Sequence, residues 1–133
     1  MEKLSTAIVD YWLTGEGILY KKVIENAHMD VEALEKSDNE VQQQTGNEKR
    51  FLLIDARTHF TITEEAMEYM RKDVAGHSKA IAIVTNKIAV RLMVDYVLKI
   101  ARIPIPLKAF SDDQKAIKWL LSLKKQNVKM ATA

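Results

Sequence analysis

This sequence predicts an α/β fold, an N-terminal antiparallel hairpin leading into a parallel βαβαβα unit, and three observations predict it. Phe51-Leu52-Leu53-Ile54 and Ala80-Ile81-Ala82-Ile83-Val84 are short unbroken apolar runs, the pattern of strands covered on both faces of a parallel sheet. Between them Ala66, Met67, Met70 and Val74 recur at helical spacing, so the order is strand, helix, strand with a right-handed crossover. Upstream, Ala7, Val9, Tyr11 and Leu13 alternate as in a half-buried strand, and Ile18 to Ile24 reads as its partner across Thr14-Gly15-Glu16-Gly17.

The remaining elements follow in order. Asp30 is placed to cap a helix whose thin apolar stripe is Val31, Leu34 and Val41, and which dissolves into the polar loop from Gln42 to Asn47. The helix from Thr63 to Val74 is expected to stop at Gly76. A further helix spans Lys87 to Arg102 and is ended by Pro104. Because prolines lack a ladder donor, Pro104-Ile105-Pro106 leads into a short edge strand, Ile105 to Phe110. Ser111 with Gln114 three residues on forms a capping-box pattern for a last helix through Ala116, Ile117, Leu120 and Leu121. Residues 1–125 are expected to form a single domain and 126–133 a flexible tail, with Lys124, Lys125 and Lys129 solvated.

Composition narrows the function classes. The chain has 133 residues, enough for a hydrophobic core without staples. It contains no cysteine, which removes disulfides, thiolate chemistry and Cys-based zinc sites. No run approaches the ~20 apolar residues of a membrane span, so a soluble, cytoplasmic protein without stable membrane anchoring is expected. The 20 basic and 18 acidic residues are intermixed and leave a charge of +2, which gives no concentrated basic face for nucleic acid. The four glycines are dispersed, and neither a Walker nor a dinucleotide fingerprint is present.

The helix from Lys87 to Arg102 carries more apolar surface than one packing face needs. Its polar residues Lys87, Arg91, Asp95 and Lys99 are spaced by four and nearly everything between them is apolar. At about 100° per residue that stripe covers roughly 120°, leaving about two thirds of the circumference apolar. A sheet takes only about half of that arc, so a neighbouring helix, a second copy, a ligand or a membrane surface must meet the rest. Asp95 pairs with Arg91 or Lys99 along the stripe if the stripe is solvated, and belongs to a polar rim if the helix lies in an interface.

The element order, Phe51-Leu52-Leu53-Ile54-Asp55-Ala56-Arg57, Ala80-Ile81-Ala82-Ile83-Val84-Thr85-Asn86, and the ending Pro104-Ile105-Pro106-Leu107-Lys108-Ala109-Phe110-Ser111 with Ala116-Ile117-Lys118-Trp119-Leu120 together resemble the bacterial STAS/SEC14-like domains of SpoIIAA-like fold. The likeness runs from about Thr6 to Lys124. It implies a mixed sheet with helices packed on it, and a regulatory, signalling role: members of the wider superfamily are anti-sigma-factor antagonists switched by phosphorylation in an Asp-Ser-x-Gly-like motif at the start of the helix after the third strand. That place reads Ile62-Thr63-Glu64-Glu65-Ala66, which makes Thr63 the candidate phospho-switch position although the motif itself is absent. Glu64 and Glu65 already supply the negative charge that a helix N-terminus favours and would repel a phosphate, so Thr63 reads first as an N-cap.

In open α/β sheets ligands collect beyond the carboxyl ends of the strands. That rule selects Asp55, Arg57, Thr58, Thr85, Asn86 and Lys87 as a candidate small-anion site, with Ser111 and Asp112 nearby; each also has a plain use as a cap, turn or surface pair. No catalytic constellation stands beside them. Asp55 and His59 find no serine in a nucleophile elbow, and His28, His59 and His77 lie in separate connections without a ligand-type partner, so neither metal nor cofactor is expected.

The expected function is therefore a non-enzymatic regulatory or protein-interaction module of STAS-like type. Its interaction surface is placed on the 87–102 helix at Arg91, Met93, Val94, Tyr96 and Val97, for an unidentified protein partner or a homodimer. The alternative is a small-ligand or lipid-binding carrier of SEC14-like type, with Met93, Tyr96 and Val97 lining its cavity.

Overall fold

The computed structural model describes residues 1–132, with side chains described for 1–73 and 76–126. The hairpin is present. Strand β2, Val9–Leu13, pairs antiparallel with β3, Ile18–Val23, and the turn closes through bonds from Thr14 N to Ile18 O and from Gly17 N to Thr14 O. Gly17 has φ +84°, a conformation that a side chain would strain. A two-residue strand β1, Leu4–Ser5, adds to the outside of β2.

The apolar runs become β5, Arg50–Asp55, and β7, Ser78–Val84, which lie parallel to each other, with β5 also parallel to β3. Strand β8, Leu107–Phe110, follows β7 in parallel and ends the six-stranded order β1-β2-β3-β5-β7-β8, so the proline-led strand is an edge as expected. It begins two residues later than predicted; Pro106 still contributes its carbonyl oxygen, which accepts from Ile81 N at 2.9 Å.

A second ribbon was not anticipated. Strands β4, Ala27–Met29, and β6, Phe60–Ile62, pair in parallel outside the main sheet. Bonds from Asn26 N to His59 O and from Thr63 N to Met29 O extend the pairing at either end. The ribbon carries Ala27 and Met29 into the core that lies on one face of the sheet.

Helix α1, Val31–Thr45, starts where predicted, with Asp30 Oδ1 accepting from Ala33 N at 2.8 Å. Helix α2, Glu64–His77, runs straight through Gly76 into β7, so that glycine is not a stop signal: it has no positive φ and the next strand begins at Ser78 without a loop. The predicted 87–102 helix is α3, Ile88–Tyr96, followed by a π turn, Val97–Ala101, closed by Arg102 N donating to Val97 O. Arg102 takes φ +48° and turns the chain toward Pro104. Helix α4, Asp113–Thr132, is capped by Asp112 and not by Ser111, because Asp112 Oδ1 accepts from Gln114 N at 2.8 Å and Asp112 O accepts from Ala116 N. The expected tail, 126–133, falls mainly outside the residues whose side chains are described.

Strand alternation sorts two cores. Leu19, Val23, Leu52, Ile81 and Ile83 point to the face covered by α1, α2, α3 and the ribbon, whereas Ile18, Tyr20, Phe51, Leu53, Ala80, Ala82 and Val84 meet α4 through Ala116 and Leu120. The α4 side is tightly filled: Leu53, Ala82, Val84, Ala116 and Leu120 have essentially no exposed surface. The opposite side is looser, and this difference positions the candidate site.

Candidate functional site

The six residues selected as an anion site separate into two groups. Asp55, 2% exposed at the end of β5, accepts from Arg57 Nε at 3.0 Å, from an Arg57 terminal nitrogen at 2.7 Å and from the Arg57 backbone N–H at 3.2 Å. The same guanidinium lies 3.9 Å from Asp113 Oδ2 in the first turn of α4. Tyr20 on β3 presents its hydroxyl to both carboxylates, at 3.4 Å from Asp55 Oδ2 and 3.3 Å from Asp113 Oδ2. Burial pushes the Asp55 carboxyl up, but the side-chain and backbone hydrogen bonds from Arg57, together with its charge, outweigh it and hold the group below the usual carboxylate range. Burial, then the two aspartates, raises Tyr20, and the hydrogen bond to Asp55 leads in raising Arg57.

This cluster has two carboxylates to one guanidinium, so the Arg57 cation is already satisfied by carboxylates. It joins the middle of β3 and the end of β5 to the start of α4, which is a structural role. The other group lies apart, and no hydrogen bond or ion pair links the two among the described residues. Thr58 Oγ1 donates to Val23 O at 2.8 Å, Lys87 Nζ donates to Thr58 O and sits 4.5 Å above the Phe60 ring, and Thr85 Oγ1, fully buried, accepts from Lys87 N. Asn86 is exposed. The structure therefore does not gather the candidate anion residues around one vacancy. Thr63 caps α2, its Oγ1 accepting from Ala66 N at 3.1 Å. Among the described residues no three His, Asp or Glu side chains are placed to hold a metal, and no helix is long and apolar enough to cross a membrane.

The excess apolar surface of α3 is real, but its rotation differs from the expected one. Val94 is 2% exposed and packs in the core with Val90, so Val94 does not belong to an interaction surface; Met93 and Val97 are half-buried. Arg91 and Tyr96 are exposed, and beside Tyr96 stand Ile88, Leu92, Leu98 and Ile100, at 77, 62, 44 and 66% exposure. Ile88, Leu92, Tyr96 and Ile100 are spaced by four and form one ridge. A helix apolar almost all round does not reveal by periodicity which arc meets the sheet.

Between α2, α3 and the sheet the packing opens. A cavity of about 340 Å³ lies under α1 and α2, and a wider cleft of about 880 Å³ runs between α2 and the α3–π segment. They share Ile54 and Ile83 from the sheet, Met67 and Met70 from α2, and Ala89 and Met93 from α3. Leu92, Tyr96 and Ile100 line the wider one, so the exposed ridge borders the cleft.

These features define a domain of SpoIIAA-like fold. The chain is similar to an uncharacterised protein of the DUF3478 family with a SpoIIAA-like fold from Shewanella loihica PV-4, at TM-score 0.62 and 17% identity over 90% of this chain and 98% of the other. A protein of unknown function from Arthrobacter sp. FB24 aligns at TM-score 0.32 and 24% identity, over 84% of this chain and 97% of that one. No curated protein matches. The chain belongs to the family of the domain of unknown function DUF7793, which matches residues 11–124. The resemblance read from the strands and the proline-led ending is thus borne out at the level of fold.

Proposed function

We propose that this protein is a non-enzymatic regulatory module of STAS-like type that works through protein–protein contact at the α3–π ridge. The observation that carries the reading is the exposure of five large apolar side chains, Ile88, Leu92, Tyr96, Leu98 and Ile100, on one short segment. An apolar surface concentrated in this way is the mark of an interaction site rather than of scattered surface residues. The charged groups Asp55, Arg57 and Asp113 at the strand ends are paired with one another, which supports binding over catalysis at that place.

A photo-crosslinking amino acid in place of Leu92, with Lys118 on exposed α4 as the control position, tests this in cells. Discrete adducts are expected from position 92 and not from position 118. Adducts at neither position, or equally at both, would remove the ridge as an interaction site.

One observation favours a second reading, a carrier of a small apolar ligand or lipid: the cavities of about 340 and 880 Å³ lie in the size range of ligand pockets and have apolar floors. Native mass spectrometry of gently purified protein is expected to show a copurifying lipid if this reading holds, and mass of the bare chain alone if it does not.

A further inference from the structure

The ridge has a charged neighbour that says what fits it. Lys87, Arg91, Asp95 and Lys99 form a second row spaced by four, beside Ile88, Leu92, Tyr96 and Ile100. In a regular helix such rows drift by ~40° per four residues; the wider π turn at Val97–Ala101 rotates the chain less per residue and brings Lys99 and Ile100 back toward their rows. Arg91, Asp95 and Lys99 are exposed, and among the described residues none of them forms an ion pair. A positive and a negative charge one turn apart, each without a partner, are self-complementary under reversal of the helix direction.

We infer that the occupant of the ridge is a second copy of this chain, packed antiparallel across a two-fold axis beside residues 93 and 94, with Arg91 of each protomer facing Asp95 of the other. The inference rests on the interaction reading above and names its partner. Symmetry selects this arrangement. When the two-fold axis is perpendicular to the helix and lies in the interface, each row meets its own copy: the apolar ridge meets the apolar ridge, and the charged row meets itself in reverse. With the axis along the helix the rows exchange, and the apolar ridge of each protomer would face the charges of the other. Reversal about position 93 sets Arg91 against Asp95 twice, once from each side. It also places Lys99 near Lys87 of the second copy, but at the outer ends of the contact, where crossed helices diverge, and Lys87 is held by Thr58 O and the Phe60 ring. The ridge spacing of four is the one that packs ridge into groove in the commonest helix–helix contact.

Sedimentation equilibrium on four samples tests the inference. The unaltered chain is expected as a dimer of the 15.2 kDa protomer. Arg91→Glu sets two carboxylates against each other at each contact, and Asp95→Arg sets two guanidinium groups against each other, so each variant alone is expected to dissociate about 100-fold more readily. An equal mixture of the two restores both opposite-charge pairs in a heterodimer, and its mass is expected to return to the dimer value. Both sites are exposed, and recovery in the mixture also demonstrates that each variant is folded. An unaltered chain that is monomeric up to about 100 μM overturns the self-pairing. Single variants that dimerise as well as the unaltered chain, or a mixture that stays monomeric, overturn this register. Crosslinks from position 92 distinguish the two levels: adducts of twice the protomer mass support the second copy, adducts of another mass retain an interaction surface while overturning self-pairing, and no adduct overturns both.

Discussion

Arg57→Leu is expected to destabilise the fold by about 2–3 kcal/mol near neutral pH, measured as a loss in the urea-unfolding free energy. The cost arises from what is left behind. Asp55 is 2% exposed and takes three hydrogen bonds from Arg57, two of them from the guanidinium, so removing that group leaves a buried carboxylate with only the backbone N–H of residue 57 and the long contact from Tyr20. Breaking a fully buried pair costs about 3–5 kcal/mol, and the figure is reduced here because the Arg57 side chain is 38% exposed and partly screened by solvent. The pH dependence carries the mechanism. The folded-state pKa of Asp55 lies below its ordinary value of 3.8, so the pair stabilises fully above that value and the contribution is lost as pH falls through the folded pKa. In the variant burial still raises the Asp55 pKa while the guanidinium's hydrogen bonds and charge no longer oppose it, so the carboxyl takes up a proton at higher pH and the gap between the two proteins narrows in acid. Tyr20 sets the other limit: its pKa is raised above 10.0, so its contribution is present below that value and is lost as pH rises through the folded pKa. A gap that stays constant from neutral pH into acid would show that the Asp55–Arg57 pair does not couple to folding. Asp55→Asn combined with Arg57→Leu is expected to recover part of the loss, because no buried charge is then orphaned.

How much of this was legible depends on the range over which each signal acts. Phe51–Ile54 and Ala80–Val84 announce themselves because burial on both faces requires consecutive apolar residues, a local pattern. Asp30 as a cap is equally local, and so is the proline-led edge. The β4–β6 ribbon is not: each strand has three residues, His28 and Thr61 interrupt them, and the pairing exists only because α1 and β5 bring segments some thirty residues apart together. Gly76 misled for a related reason, since a glycine that ends a helix and one that a helix passes through look alike until the next strand is placed. The Asp55–Arg57 part of the charge cluster is visible as neighbours at a strand end. Tyr20 joins it from 35 residues away and itself meets Asp113 across 93 residues, and alternation in β3 identifies only the face on which Tyr20 lies. On α3 the sequence shows the amount of apolar surface but not its phase. With nearly every position between the charges apolar, Val90 and Val94 are chosen for the core by the sheet beneath them and not by any pattern along the helix.

Leu120→Ala is expected to cost about 4 kcal/mol and Ile83→Ala about 2 kcal/mol, although both residues are buried and each truncation removes three carbons. Leu120 has no exposed surface and sits in α4 against a face where Leu53, Ala82 and Val84 are also fully enclosed. Interiors at such density cannot collapse into a gap, so the lost transfer free energy is joined by the cost of a new cavity. Ile83 looks the other way. It lines both the 340 Å³ cavity and the 880 Å³ cleft, so part of its surface already lacks dispersion partners, and truncation widens a space that exists. Urea denaturation of the two variants side by side measures the difference. The result bears on function because a face that is underpacked in the free protein has room for an apolar ligand, and a bound lipid would supply the missing contacts and raise the Ile83→Ala cost toward that of Leu120→Ala. Equal costs in protein that mass spectrometry finds free of lipid would mean that α2 and α3 close on the sheet in solution. The cleft would then be too narrow for a ligand, and the exposed ridge on α3 would remain as the binding feature of this face.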